Sequence, residues 1–431
     1  MEKKGNPAAL LPIGVFLLLY LGLGLTFEYG MKIPMGFYNI PIVIAFLVAI
    51  LVACLQNREL SFDRKLSIMG QGVGDKNIIT MLLIFLVAGA FVGVVGRSSA
   101  ESVAYFMLSI IPTRFAVAVL FIVACFVSTA MGTSVGTITL LTPIAAAVAG
   151  VSGFGVPLCV GAVMGGAMFG DNLSFISDTT IAATRSQGCG MADKFKANLW
   201  IALPAALVTL ILYMIMSKDS PEIILADESN PWLILPYIVV LATAIAGINV
   251  TVVLSLGILS AFIMGLIDGF SLMDMAGYAG AGIDGMGDLI IITLLAAGML
   301  GIIKAAGGIR FLLQGLSTRI SGKRGAQAIL ALLVGLVNLC TANNTVAIIT
   351  VGGIARDIAE RYGIDPRKSA SLLDSASCVV QCLIPYGAQT LLATSLAGIS
   401  PASPFPYLYY PWALAAMIAL SIIFLFPRRL N

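Results

Sequence analysis

Apolar stretches close to the roughly 20 residues that a helix needs to cross a bilayer recur along the whole chain, among them residues 8–25, 40–55 and 199–216. Polar stretches separate them. The pattern predicts an all-α polytopic membrane protein with about ten transmembrane helices. Two of the apolar runs are interrupted from within. Residues 115–151 are too many for one straight crossing, and Gly132, Thr133, Ser134, Val135, Gly136 and Thr137 stand together inside them, where paired glycines and hydroxyls disfavour continuous helix. Thr341, Ala342, Asn343, Asn344 and Thr345 interrupt another run in the same way.

After the first interruption, residues 165–180 read GGAMFGDNLSFISDTT, a cluster of carboxylates, amide and hydroxyls between apolar flanks. The flanks 156–169 and 181–184 are short for two full crossings, which predicts a re-entrant hairpin dipping to mid-membrane. Residues 369–398 form its counterpart, carrying Asp374, Ser375, Ser377, Gln381, Pro385 and Gln389.

Sliding the chain along itself by 210 residues aligns these features without a gap. Arg114 falls on Arg324, Leu120 on Leu330, Ala145 on Ala355, and Thr180, Ala183, Thr184 and Gly188 on Thr390, Ala393, Thr394 and Gly398. The same offset puts Thr133 and Ser134 on Asn343 and Asn344, and Asp171 on Gln381. Charge then assigns the sides, since positive residues in short loops mark the cytoplasmic face. Residues 304–324 hold Lys304, Arg310, Arg319, Lys323 and Arg324 and no acid, and residues 56–76 and 185–196 are also basic. Residues 268–288 hold Asp268, Asp274, Asp284 and Asp288 without a base, and residues 217–230 hold four acids against Lys218. The two copies therefore start on opposite sides, as inverted repeats with broken helices do in secondary transporters. Both termini fall in the cytoplasm, with Lys3 and Lys4 before an uncleaved first span and Arg428 and Arg429 after the last. Residues 355–368 fit less well, because they should lie outside yet carry four bases beside three acids.

Composition narrows the chemistry. Hydrophobic residues make up 59% and charged residues 10% of the 431, against roughly a quarter charged in soluble proteins. The scattered bases give no nucleic-acid footprint. With no histidine, histidine-based triads, His-ligated zinc and a histidine proton relay are excluded, and no enzyme activity or cofactor is expected. The seven cysteines read as small buried hydrophobes.

A carboxylate inside a membrane costs on the order of 3 kcal/mol even on lenient scales and marks a functional site by default. Oxygen ligands without thiolate or imidazole suit a hard ion such as Na⁺. A carboxylate held away from water keeps its proton more tightly, and bound Na⁺ loosens it. That competition is enough for Na⁺/H⁺ exchange. The ion-binding candidates are Thr133, Ser134, Thr137, Asp171, Asn172, Ser174, Ser177, Asp178, Thr179, Asn343, Asn344, Thr345, Asp374, Ser377 and Gln381, with Na⁺ held by Asp171, Asp178, Ser174 and Asn343. Asp178 also suits a helix cap, Asn343 and Asn344 also suit hydrogen bonding between helices, and Asp193 beside Lys194 and Lys196 reads as a solvated loop residue. The rival function is Na⁺-coupled movement of a small organic solute, for which Asn343, Asn344, Gln381 and Gln389 supply amides beyond what a bare cation needs.

The blocks from Gly132 to Thr137 and from Phe169 to Thr180 resemble the signature segments of the NhaC family of Na⁺/H⁺ antiporters. The resemblance continues more weakly from about Thr341 to Pro411. Val135, Phe175 and Tyr386 depart from the usual Trp, Pro and Trp. The resemblance implies antiport of Na⁺ and H⁺ across the cytoplasmic membrane and an elevator mechanism with scaffold and transport domains, usually in a homodimer. On this division residues 1–96 and 217–303 form the scaffold. Residues 97–216 and 304–431 each comprise an interfacial arm, a broken helix and a hairpin. The arms are residues 96–114 and 308–324.

Overall fold

The computed structural model describes residues 5–58, 60–218, 231–317 and 320–426. Lys3, Lys4, Arg319, Arg428, Arg429 and most of the acidic stretch 217–230 lie outside the described residues. Helix is the only regular structure among those described. The reason is the solvent, because a helix satisfies its own backbone hydrogen bonds where lipid offers none. Ten described helical stretches are long and apolar enough to cross a membrane, and Ile42–Gln56, Trp232–Ile245 and Tyr409–Ile423 are shorter apolar ones.

In chain order the helices are α1 (Pro7–Gly30), α2 (Ile42–Gln56), α3 (Phe62–Val73), α4 (Lys76–Ile110), α5 (Ala116–Met131), α6 (Ser134–Ser152), α7 (Val156–Leu173), α8 (Asp178–Gln187) and α9 (Met191–Met216). There follow α10 (Leu235–Ile245), α11 (Val250–Ile267), α12 (Leu272–Asp284), α13 (Gly287–Ala305), α14 (Gly308–Ser317), α15 (Gly322–Thr341), α16 (Asn344–Arg361), α17 (Pro366–Leu383), α18 (Ala388–Ala397) and α19 (Tyr409–Ile423).

The offset of 210 residues relates these elements in pairs. The bounds of α7 and α17 coincide at both ends, as do those of α8 and α18. The left-handed residues that stop helices recur too: Gly132 with Ala342, Gly153 with Gly363, and Gly188 with Gly398. The relation also reaches upstream of Arg114, where the sequence match is lost, pairing α2 with α11, α3 with α12, and the first part of α4 with α13. Packing follows the same pairing. α4 packs on α12 and α13 on α3, α6 packs on α18 and α16 on α8, and α9 packs on α19.

Two charge-based readings need correction. Residues 268–288 are largely helix rather than loop, because Ser271 and Asp274 form a reciprocal capping box at the start of α12. Its glycines then let α12 close onto α4. A methyl group on Gly93 would sit 2.1 Å from the Tyr278 carbonyl oxygen, and one on Gly282 equally close to that of Gly89. Residues 56–76 likewise contain α3. Residues 355–368 neutralise part of their charge within the segment. Arg356 pairs with Glu360 at 3.0 Å and Arg367 with Asp365 at 2.8 Å, and the Arg367 hydrogen bonds hold the Asp365 carboxyl below its ordinary range. Lys368 is buried, donating to the Phe426 carbonyl at 2.7 Å and to Ser421.

The predicted hairpins are unequal helix pairs. α7 and α17 have 18 residues each and α8 and α18 have 10, so they run about 27 Å and about 15 Å. The predicted arms correspond to the part of α4 beyond Gly96, where φ is +69° and the helix bends, and to α14.

Candidate functional site

The site begins with two failures of helix at matching positions. α5 stops at Gly132, whose left-handed backbone favours a residue without Cβ; a methyl there would also meet Ile176 and the Ser177 amide. Thr133 is extended and caps α6, its hydroxyl accepting the Gly136 amide at 3.4 Å. In the second copy α15 stops at Ala342, whose φ of +49° costs a non-glycine residue on the order of 1 kcal/mol. Asn343 then caps α16, its Oδ1 accepting the Val346 amide at 3.0 Å. The N-termini of α6 and α16 are thereby brought together, and both favour negative charge nearby.

Asp171, near the end of α7, supplies that charge. It is 4% exposed. Its Oδ2 accepts the Ser134 hydroxyl at 2.9 Å from one break and the Asn344 amide at 3.4 Å from the other, and its Oδ1 accepts the Ser177 hydroxyl in a short bond. One carboxylate thus joins both repeats. Gln381, its counterpart, donates through Nε2 to the Ala342 carbonyl at 3.0 Å and to Gln389 Oε1 at 2.6 Å. Gln389 donates in turn to Ser134 at 3.2 Å. The Gln381 Oε1 is buried without a hydrogen-bond partner.

These groups border a cavity of about 70 Å³. Thr133, Ser134, Asp171, Asp178, Thr179, Asn343, Asn344, Thr345, Gln381 and Gln389 line it, so oxygen ligands dominate. Its size admits a small cation with a few waters.

Several expected residues make contacts other than with Asp171. Asp178 is exposed in the first turn of α8 and does not cap it, since Ser177 does. The Ser174 hydroxyl accepts the Ile176 amide at 3.3 Å. Asn343 commits both ends of its side chain, one as the cap and the other to the Met81 sulfur at 3.3 Å. Thr137 and Ser377 bond back to their own helices, at Thr133 O and Asp374 O. Asn172 faces α17 and α9, donating to Ser375 at 3.2 Å and receiving Asn198. Asp374 is fully buried in an ion pair with Lys194.

Lys194 and Asn198 are the residues that charge counting missed. Lys194 is 1% exposed, whereas Asp193 beside it is exposed as expected, though in the first turn of α9 and not in a loop. The available signal was their spacing, because Lys194 and Asn198 lie one turn apart on the face of α9 that continues with the buried Ile201, Ala202 and Ala205.

Among the described residues no three of Asp, Glu, Cys and His form a metal cluster, so any ion here would rely on hydroxyl, amide and carbonyl oxygens beside the Asp171 and Asp178 carboxylates. Comparison with known proteins shows what the chain is similar to. The model of the Na⁺/H⁺ antiporter family matches residues 39–218 and 221–427. A malate-2H⁺/Na⁺-lactate antiporter of Bacillus subtilis (strain 168) is 24% identical over 96% of this chain and 92% of its own length. The Na⁺/H⁺ antiporter NhaC of Alkalihalophilus pseudofirmus is 25% identical over 95% and 94%. Among solved structures, the YdaH transporter of Alcanivorax borkumensis is 14% identical, with a TM-score of 0.44 over 97% of this chain and 98% of that one.

Proposed function

The chain belongs to the Na⁺/H⁺ antiporter family, and on that premise we propose that it exchanges Na⁺ for H⁺ across the membrane, with Asp171 taking either ion. The observation that carries the reading is the single buried carboxylate bonded to both helix breaks at the wall of a small oxygen-lined cavity. Na⁺ at the Asp171 oxygens, with Ser134 and the unpartnered Gln381 Oε1 as further ligands, displaces the proton, and a proton from the other side displaces Na⁺. Asp178 at the cavity wall draws cations toward the site without holding them. Thr133, Thr179, Asn344 and Thr345 shape the wall, and Ser177 fixes the Asp171 carboxylate.

The same reading extends to the larger machinery. The protein lies in the cytoplasmic membrane with both termini inside, works as a homodimer, and moves by an elevator step. Residues 1–96 and 217–303 form the scaffold, while residues 97–216 and 304–431 carry the site. The mutual packing of α4 with α12 and of α3 with α13 on one hand, and of α6 with α18 and α8 with α16 on the other, supports this division. The work is transport, not catalysis, and needs no cofactor.

One observation favours a second reading, Na⁺-coupled movement of a small organic solute. A cavity of about 450 Å³ shares Met81, Ala342 and Asn343 with the small one and is lined by Arg64 and Lys304. The two readings separate in sealed proteoliposomes containing no organic solute. External Na⁺ is expected to alkalinise the lumen by driving protons out. A lumen that stays unchanged until an organic acid is supplied would refute simple exchange.

A further inference from the structure

Behind Asp171 lies a second charged site. The Lys194 ammonium is 1% exposed and forms a close ion pair with Asp374, which is fully buried. It also donates to the Asn172 main-chain carbonyl at 2.5 Å and to the Thr180 hydroxyl at 2.8 Å. Its partners are thus a carboxylate, a carbonyl and a hydroxyl, an all-oxygen shell of the kind a hard cation takes. Asn172 and Thr180 come from the first helix pair and Asp374 from the second. The shell is also continuous with the first site. Asn172 follows Asp171 in the chain, and the Ser177 hydroxyl on Asp171 bonds the Thr179 hydroxyl at 2.8 Å, one residue before Thr180.

A lysine in such a place is expensive, and an apolar pair of equal volume often stabilises as well or better. Structural stapling alone therefore gives little reason for it. We propose that the Lys194 ammonium is a tethered cation filling a second cation site made by Asp374, Asn172 and Thr180, so that the core loads one ion per cycle instead of two. The charges close: two buried carboxylates and one ammonium leave a single negative charge, which one Na⁺ or one H⁺ neutralises.

The inference rests on Na⁺/H⁺ exchange at Asp171, and its test keeps the two apart. Purified full-length protein is assayed for bound Na⁺ per chain and for the Na⁺ dependence of exchange in proteoliposomes. Wild-type protein is expected to bind one Na⁺ with a hyperbolic dependence. Lys194→Ala empties the tethered site but leaves its oxygens, so binding is expected to rise to two Na⁺ with a sigmoidal dependence. Adding Asp374→Asn to that variant is expected to restore one Na⁺ and the hyperbola. A Lys194→Ala protein that still binds one Na⁺ hyperbolically overturns the tethered cation alone, whereas a wild-type protein without Na⁺-driven proton flux overturns the exchange reading itself. If Lys194→Ala does not fold, Asp374→Asn decides against the double variant. Its unpaired ammonium is expected to weaken Na⁺ binding at Asp171 at least about tenfold, and the double variant to recover it; equal weakening in both overturns the proposal.

Discussion

Asp171→Asn is expected to yield a folded protein with no measurable Na⁺-driven proton movement. Asparagine matches aspartate in volume, and its amide oxygen can still accept from Ser134 and Asn344, so the contact between the repeats survives in large part. What disappears is the charge. Removing one member of a buried charge interaction costs about 3–5 kcal/mol, which corresponds to a loss of Na⁺ affinity on the order of a hundredfold or more. Proton binding at the same oxygens disappears with it. Thermal unfolding in detergent, followed beside the flux assay, separates lost ion binding from lost fold. Wild-type flux in the variant would remove Asp171 from its role.

Gly170→Ala is expected to damage the protein from the packing side. The glycine precedes Asp171 and faces α5, where an added methyl would lie 2.3 Å from the Ser128 Cβ and 2.4 Å from the Thr129 amide nitrogen. The second contact is backbone and cannot rotate away. Relief requires α7 to move off α5, which also pulls at the Ser128 hydroxyl bonded to the Ala167 carbonyl at 2.6 Å. Overpacking of this kind costs about 1–3 kcal/mol. Because Asp171 travels with α7, the apparent affinity for Na⁺ is expected to fall together with the unfolding temperature. Gly150→Ala, whose added methyl meets nothing within 4 Å, serves as the control and is expected to change neither. Equal behaviour of the two variants would show that the close contact between α5 and α7 does not position the site.

The helical class, the number of crossings and the two breaks were legible in sequence because lipid imposes long apolar runs, so any glycine, hydroxyl or amide within them stands out. The repeat was legible only from Arg114 onward. Upstream, α2 to α4 and α11 to α13 keep their bounds and packing but share apolar positions that many side chains satisfy equally well. Acidic residues misled at 268–288, where charge marks exposure but does not distinguish a loop from a capped helix. Within the candidate site, residue type and position singled out Asp171 and Ser134, which the structure places in hydrogen-bond contact. Asp178 is exposed at the cavity wall and the Ser174 hydroxyl bonds locally to the Ile176 amide, placements that sequence does not show because proximity in the chain does not fix the direction of a side chain around a turn. Lys194 was hidden for the opposite reason, since a lysine near a loop is ordinarily solvated, and only the burial of its partner Asp374 from the other repeat changes its meaning.

Competition of Na⁺ and H⁺ for one carboxylate is tested most directly by the protons released when Na⁺ is added to weakly buffered, purified protein. The wild-type chain is expected to release protons as Na⁺ binds, and Asp171→Asn to release none. Proton release of equal size in both proteins, or Na⁺ binding to the wild type without any release, would contradict the account.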